Sequence, residues 1–157
     1  MAINKPFQAS RDLIYGVRVD RATAALPAST DEALFTITGG RILLTSIIGE
    51  VTTVIQTQAC ATKLKFNPTA TGADTDLCAS GTSITADAVG TLYSITGDFS
   101  DDLKDNLLCL ESDSLLEVPI MLSEGAIELE TAATNTGSVS WSVTYIPYDD
   151  NARVTAA

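Results

Sequence analysis

Residues 34–58 constrain the fold of this chain more than any other stretch. They are mainly apolar residues and threonine, with Ile, Leu, Val and Thr dominating from residue 41 onward. Because such residues fit a pleated surface and side chains alternate across a strand, the stretch predicts two strands, 34–38 and 41–58. Gly39-Gly40 supplies the positive φ of a two-residue hairpin turn between these strands. Gly49 predicts a bulge or bend within the second strand.

Further strand patterns recur at short intervals through the rest of the chain. Alternating or apolar runs predict strands at residues 61–66, 83–86, 91–96, 107–110, 115–122, 126–131 and 138–148. Residues 123–125 predict a hairpin turn, and residues 135–137 predict another turn. No amphipathic helix lies between these strands to connect them in parallel. The predicted fold class is therefore all-β, an antiparallel β-barrel or a jelly-roll-like sandwich with an extended N-terminal arm.

The arm is predicted because residues 1–30 differ in composition from the rest. They contain four basic and two acidic residues and end in a segment of small residues. Fixing a backbone costs about 1 to 2 kcal/mol per residue, so a segment without its own core stays ordered only where something binds it. We therefore predict an extended N-terminal arm (1–30), a β-barrel or sandwich body (31–149) and a short C-terminal tail (150–157).

Charge is distributed unevenly along the chain, whose formal net charge is -11. Seven basic and five acidic residues occur up to Lys65, whereas two basic and fifteen acidic residues follow it. Nucleic-acid binding needs clustered Lys and Arg, so this composition disfavours a nucleic-acid partner. No run reaches the roughly 20 apolar residues of a membrane helix, and residues 1–20 lack the apolar core of a secretory signal. We therefore expect a protein that is made in a cytoplasm and has no membrane partner.

Histidine is absent from the sequence. Its absence removes the commonest general base and the commonest zinc ligand. The chain also lacks a Gly-x-Ser-x-Gly nucleophile motif and a phosphate-binding loop. We therefore expect no catalytic residues, no cofactor and no enzymatic activity.

Two other residue groups favour structural roles. Cys60, Cys78 and Cys109 are widely spaced and predict buried free thiols, with a bridge between Cys78 and Cys109 as the open alternative. Four aspartates within residues 98–105 lack the alternating order of an EF-hand calcium loop. We interpret them as residues that cap a short helix or lie in a solvated loop, so no metal site is predicted.

The last predicted strand has the clearest alternation in the chain. Val139, Trp141, Val143 and Tyr145 face one way, with Ser and Thr between them. Trp141 is therefore predicted to anchor the core. The alternative is that Trp141 and Tyr145 are exposed and stack on a sugar ring.

Several short runs resemble a known group of viral proteins. They are Ala-Ala-Leu-Pro at residues 24–27, the Gly-Gly-Arg turn at 39–41, Gly-Glu-Val-Thr at 49–52, and Trp-Ser-Val-Thr-Tyr-Ile-Pro at 141–147 followed by two aspartates. In these runs, and in its general residue pattern over residues 15–157, the chain is similar to the capsid decoration, or cement, proteins of tailed bacteriophages. The resemblance rests on these runs and on no invariant motif.

The resemblance implies a β-barrel or jelly-roll body outside the capsid lattice, commonly a trimer, with a terminal arm laid across neighbouring capsid subunits. We therefore expect a structural virion protein, made in the bacterial host cytoplasm and located on the outer capsid surface. It would act as a homotrimer that cements copies of the major capsid protein. Arginines of the arm would bind capsid carboxylates, and apolar residues of the arm would act as anchors. These capsid-binding residues are Arg11, Leu13, Ile14, Tyr15, Arg18 and Arg21.

Two other interpretations stay open at this point. One is a carbohydrate- or surface-binding module on the phage head, which needs exposed aromatic residues. The other is a tail-tube-type structural subunit, which would polymerise into rings or tubes. Both are all-β and non-enzymatic, so composition does not separate them from capsid decoration.

Overall fold

The computed structural model describes residues 10, 12, 14–70, 73–106 and 116–157. Twelve β-strands lie in these residues, and every pair of adjacent strands is antiparallel. The strands are β1 Val17–Ala25, β2 Asp31–Thr38, β3 Ile42–Thr53, β4 Cys60–Pro68, β5 Thr75–Asp76, β6 Ser83–Ile84, β7 Leu92–Ser94, β8 Lys104–Asn106, β9 Ile120–Leu122, β10 Gly125–Thr131, β11 Ser138–Pro147 and β12 Arg153–Ala156. The predicted strand at residues 107–110 lies outside the described residues.

The strands form two sheets packed against each other. The first sheet has the order β1-β11-β3-β7-β8, and β9 also pairs with β3. The second sheet has the order β12-β2-β10-β4-β5, and β6 also pairs with β4. This arrangement confirms the all-β, antiparallel sandwich prediction, and the described strands do not close into a barrel.

Most connections in the chain cross from one sheet to the other, and this corrects the two predicted hairpins. Gly39-Gly40 joins β2 of the second sheet to β3 of the first, and residues 123–125 join β9 of the first to β10 of the second. The two glycines do have positive φ, 79° and 132°. Such glycines permit a sharp reversal of the chain, but they do not decide whether the next strand pairs with the last one or faces it across the core.

The predicted arm and tail are also corrected where the structure describes them. Residues Val17–Ala25 form β1, which pairs with β11 from Val17 opposite Tyr145 to Ala25 opposite Ser138. Residues Arg153–Ala156 form β12, which pairs with β2. Both segments therefore belong to the body, because strand pairing joins them to β11 and β2.

The core lies between the inner faces of the two sheets. Its largest fully buried side chains are Leu34, Phe35, Ile37, Ile42, Leu44, Ile47, Ile55, Leu64, Leu77, Ile84, Tyr93 and Leu103. Trp141 is 3% exposed, so its predicted role as a core anchor is confirmed. Tyr145 is buried as well, and neither ring is exposed for sugar stacking.

Gly49 serves the packing of Trp141 and does not mark a bulge. It lies directly opposite Trp141 in an unbroken register, and a Cβ at position 49 would come within 2.9 Å of Trp141 Cη2. The two irregularities in this strand pair lie elsewhere: between Thr144 and Tyr145, where Thr45 of β3 is the extra residue, and between Ser138 and Val139, where Thr52 is the extra residue. Of the bulge or bend predicted at Gly49, the bulge is therefore wrong: the glycine leaves room for the indole ring instead.

Candidate docking surface

Three apolar side chains form a row across the outer face of the first sheet. Ile146 of β11 is directly opposite Leu43 of β3, and Leu43 is directly opposite Met121 of β9. Directly opposed residues share one face of a sheet. The neighbouring residues Tyr145 and Leu44 are buried in the core, so the row points to the outside. Ile146 is 39% and Met121 is 47% exposed, while Leu43 is partly buried.

The chain reaches β1 beside this row. Ile14 is 67% and Tyr15 is 50% exposed. The Thr45 hydroxyl donates a hydrogen bond to the Tyr15 carbonyl at 3.0 Å. Gly16 follows with a φ of 101°, and a Cβ there would lie 3.3 Å from Ile146 Cγ1. These contacts hold the backbone of residues 15 and 16 next to Ile146.

We call these neighbouring residues, four of them exposed and Leu43 partly buried, the outer apolar surface. Its members are Ile14, Tyr15, Leu43, Met121 and Ile146. Scattered exposed apolar residues are normal in proteins, but a group of them in contact usually marks an interaction site. The arrangement suits docking to another macromolecule better than binding a small molecule, because its members lie along the outer face of a sheet.

The sequence predicted part of this surface. Ile14 and Tyr15 are the expected apolar anchors, and both are exposed. Arg18 is exposed too, and its Nε donates to Asp20 Oδ1 at 2.7 Å. Arg11 and Leu13 lie outside the described residues.

Arg21 occupies a different environment from Arg18. Its side chain is 11% exposed, and its Nη2 donates to Glu32 Oε1 at 2.5 Å. Because Glu32 belongs to β2, this ion pair connects the first sheet to the second. The structure therefore uses Arg21 inside the protein, and it is a poorer candidate than Arg18 for binding a partner's carboxylate.

The sequence did not predict the other members of the outer apolar surface, which are Leu43, Met121 and Ile146. Ile146 follows Ser140, Ser142 and Thr144 in the outward-facing register of β11, so an apolar residue stands where polar residues are expected. That break in the alternation is the one sequence signal for it. Met121 has no such signal, because it joins the row only through the pairing of β9 with β3, which places Met121 opposite Leu43.

A carboxylate cluster on the second sheet is the one group of described residues with the geometry of a cation site. The carboxylate oxygens of Asp31, Asp74 and Glu128 lie within 4.8 Å of one another. The Lys65 ammonium is bound there, 2.8 Å from Asp31 Oδ2, 2.8 Å from Asp74 Oδ2 and 3.2 Å from Glu130 Oε2. Hydrogen bonds to Asp31 and then Asp74 raise the pKa of Lys65. The protein thus supplies its own cation to this cluster.

Three of the four aspartates of residues 98–105 lie in a turn and loop, and the fourth, Asp105, lies in β8. Asp98 Oδ1 accepts hydrogen bonds from the backbone N–H and the hydroxyl of Ser100, which lowers the pKa of Asp98. Asp101 Oδ2 accepts a hydrogen bond from the Thr96 hydroxyl. These residues form turns and no helix, so the solvated-loop interpretation describes them better than the helix-cap interpretation.

The two described cysteines confirm the thiol prediction. Cys60 and Cys78 are free and buried. Burial raises the pKa of the Cys78 thiol to about 11, which leaves it protonated and unreactive at neutral pH. Cys109, its possible partner in a bridge, lies outside the described residues.

Two aspartates, the buried Asp87 and the partly buried Asp105, lie at the other side of the first sheet. Tyr93 of β7 is directly opposite Asp105 of β8, and its hydroxyl donates to the buried Asp87 Oδ2 at 2.5 Å. Asp105 Oδ1 is buried and has no hydrogen-bond partner among the described residues. Burial, and next the charge of Asp87, raises the pKa of Asp105 to about 6 from its ordinary 3.8.

This environment predicts that Asp105→Asn stabilises the protein at high pH. The folded state binds the Asp105 proton more tightly than the unfolded state, so stability falls as pH rises from about 4 to about 6 and the cost persists above that. Removing the charge should raise the free energy of unfolding at pH 8 by about 1 to 2 kcal/mol, with part of the shift screened by solvent. Urea denaturation at pH 4 and pH 8 measures both values. Asp150→Asn, at an exposed position, is the control, and an equal gain at both pH values would contradict the electrostatic cause.

Comparisons of this chain with protein-family models, with curated proteins and with solved structures found no match. Among the described residues, no helix is long and apolar enough to cross a membrane. Capsid decoration therefore stays a prediction from the sequence.

Proposed function

We propose that this chain is a structural virion protein that binds the outside of a phage capsid and links neighbouring copies of the major capsid protein. The observation that carries the proposal is the outer apolar surface, which combines two residues that precede β1 with the outer face of the first sheet. The resemblance of the sequence to decoration proteins supports the same function.

Docking would bury the outer apolar surface against the capsid. Tyr15 is an aromatic side chain with a polar tip, the kind that contributes most at protein interfaces. Arg18, exposed two residues into β1, would bind a capsid carboxylate at the margin of the contact. The acidic residues that follow Lys65 would keep free copies soluble before assembly.

Cementing requires that each unit hold more than one capsid subunit. If several chains associate, their docking surfaces act through effective concentration, and avidity rises by a factor of about 100 to 10,000 without a new kind of contact. Capsid expansion or rupture would then have to break several contacts at once.

Co-sedimentation with undecorated capsids of the encoding phage tests the proposal. The wild-type chain should pellet with the capsids, and Ile14→Ser/Tyr15→Ser should lower the affinity by about 30-fold or more, since truncating an interface anchor costs about 2 kcal/mol. Both positions are exposed, so circular dichroism should stay unchanged.

A matched control changes two exposed valines at the far end of β3. Val54 follows β3 directly, and Val89 precedes Gly90, whose N–H donates to the Val51 carbonyl. Val54→Ser/Val89→Ser should bind capsids like the wild type. A wild-type chain that ignores capsids would exclude the function, whereas equal binding by the Ile14/Tyr15 variant would exclude this surface as the contact.

A further inference from the structure

The first strand is an unusually long exposed edge. β1 has 9 residues, whereas the other described strands with a single partner are shorter: β5 and β6 have 2 residues, β8 and β9 have 3, and β12 has 4. One side of β1 pairs with β11, and among the described residues no backbone hydrogen bond reaches its other side. Natural proteins keep edge strands short or cover them, because an open edge is a template for another strand.

The exposed side chains of β1 form a pattern that complements itself. Arg18 and Asp20 lie on the same face of the strand, both exposed, with the partly buried Val19 between them on the opposite face. In the single chain Arg18 and Asp20 form an ion pair with each other. A second strand with the same two residues in antiparallel orientation would offer each charge the opposite one.

We propose that β1 pairs with β1 of a second copy of this chain, antiparallel, about a two-fold axis at Val19. In this register Arg18 of each copy is opposite Asp20 of the other. The contact is isologous, since the same strand serves both copies. It extends the first sheet continuously across two subunits.

The charges of Arg18 and Asp20 favour this register over the neighbouring registers. A two-fold axis at Arg18 would place the two copies of Arg18 opposite each other, and an axis at Asp20 would do the same with the aspartates. Like charges directly opposite each other destabilise a strand pair. The register of β1 shifts between Arg21 and Ala24, which limits regular pairing to residues 17–21. So short a strand pair gives a small interface and therefore a reversible dimer.

The same pattern favours a second copy over a strand from another protein. A foreign strand would need an acidic and a basic residue at matching positions, whereas this chain carries both in the required order. The proposal concerns the free protein, and it gives a dimer in place of the homotrimer that the resemblance implies. Arg18 would pair with Asp20 of the second copy in this dimer and with a capsid carboxylate only on docking. Sedimentation without capsids and co-sedimentation with capsids therefore test the two proposals separately.

Sedimentation of the purified full-length chain over a concentration series tests the proposal. The wild type should change from one to two chain masses as concentration rises. Arg18→Asp and Asp20→Arg should each raise the dissociation constant about tenfold or more, because two opposite-charge pairs become like-charge pairs. The double swap Arg18→Asp/Asp20→Arg should restore the dimer, and so should mixing the two single variants.

Two controls make the result specific to β1. Lys104→Asp changes an exposed charge on β8, the opposite edge of the first sheet, and should leave the dimer intact. Hydrogen exchange should show amides of residues 17–21 that become protected as the dimer forms. A wild type that stays monomeric, a mass of three chains, a dimer without this protection, or single variants that dimerise like the wild type would each overturn the proposal.

Discussion

Trp141→Ala is expected to lower the free energy of unfolding by about 3 to 5 kcal/mol, the usual cost of removing a large aromatic side chain from a core. The indole packs over Gly49, and its ring lies 6.4 Å from that of Tyr93 on the adjoining part of the sheet. Gly49 has no side chain that could move into the space. Chemical denaturation followed by circular dichroism measures the loss, since Trp141 is the chain's single tryptophan and the variant has no indole fluorescence.

Two further variants separate packing from aromatic content. Trp141→Phe keeps part of the ring volume and should cost less than the alanine variant. Tyr15→Ala removes an aromatic side chain that is half exposed, so it should change stability by less than about 0.5 kcal/mol. If Tyr15→Ala were as costly as Trp141→Ala, Tyr15 would have to be part of the core and not of the outer apolar surface.

Lys65→Met is the second change with a large expected effect. The side chain is mostly buried, and its ammonium is bound by Asp31, Asp74 and Glu130. Methionine keeps the aliphatic packing but leaves these carboxylates without a counter-charge. The expected loss is about 2 to 4 kcal/mol, somewhat below that of a fully buried pair because the acidic partners are partly exposed to solvent.

Added calcium should distinguish this cause from a loss of packing. With the ammonium gone, Asp31, Asp74 and Glu128 keep three oxygens close enough for one cation. Calcium should therefore raise the unfolding midpoint of the Lys65→Met variant and leave that of the wild type unchanged. Lys104→Met, at an exposed position on β8, should lose little stability and show no calcium response. A calcium response by the wild type would contradict the view that Lys65 already occupies the cluster.

Local alternation was enough to predict the β-sandwich class and the strand that carries Trp141. The inward positions of β11 follow directly from the period of two in its sequence. Ile14, Tyr15 and Arg18 were predicted as capsid-binding residues of an arm, and the structure places all three at exposed positions. Arg21 was predicted with them, because nothing in the sequence places Glu32 of the other sheet beside it.

Composition misled the prediction at both ends of the chain. Residues 17–25 are charged or small at many positions, because much of an edge strand faces solvent. That composition was interpreted as an arm. The segment Arg153–Ala156 is too short to stand out as a strand until β2 is available to pair with it. In both cases the deciding hydrogen bonds come from residues far away in the sequence.

The sequence by itself determined the strand periodicity and which side chains point inward, because these depend on neighbours one or two positions apart. It also determined that no histidine is present for catalysis or metal binding, because this depends on residue type alone. Only the tertiary structure decided which sheet each strand joins, since glycine turns serve a hairpin and a crossing between sheets equally well. It alone brought Leu43, Met121 and Ile146 into one row, and it left one edge of β1 without a pairing strand among the described residues. Those two features depend on pairing between distant segments, for which a single strand carries no local signal.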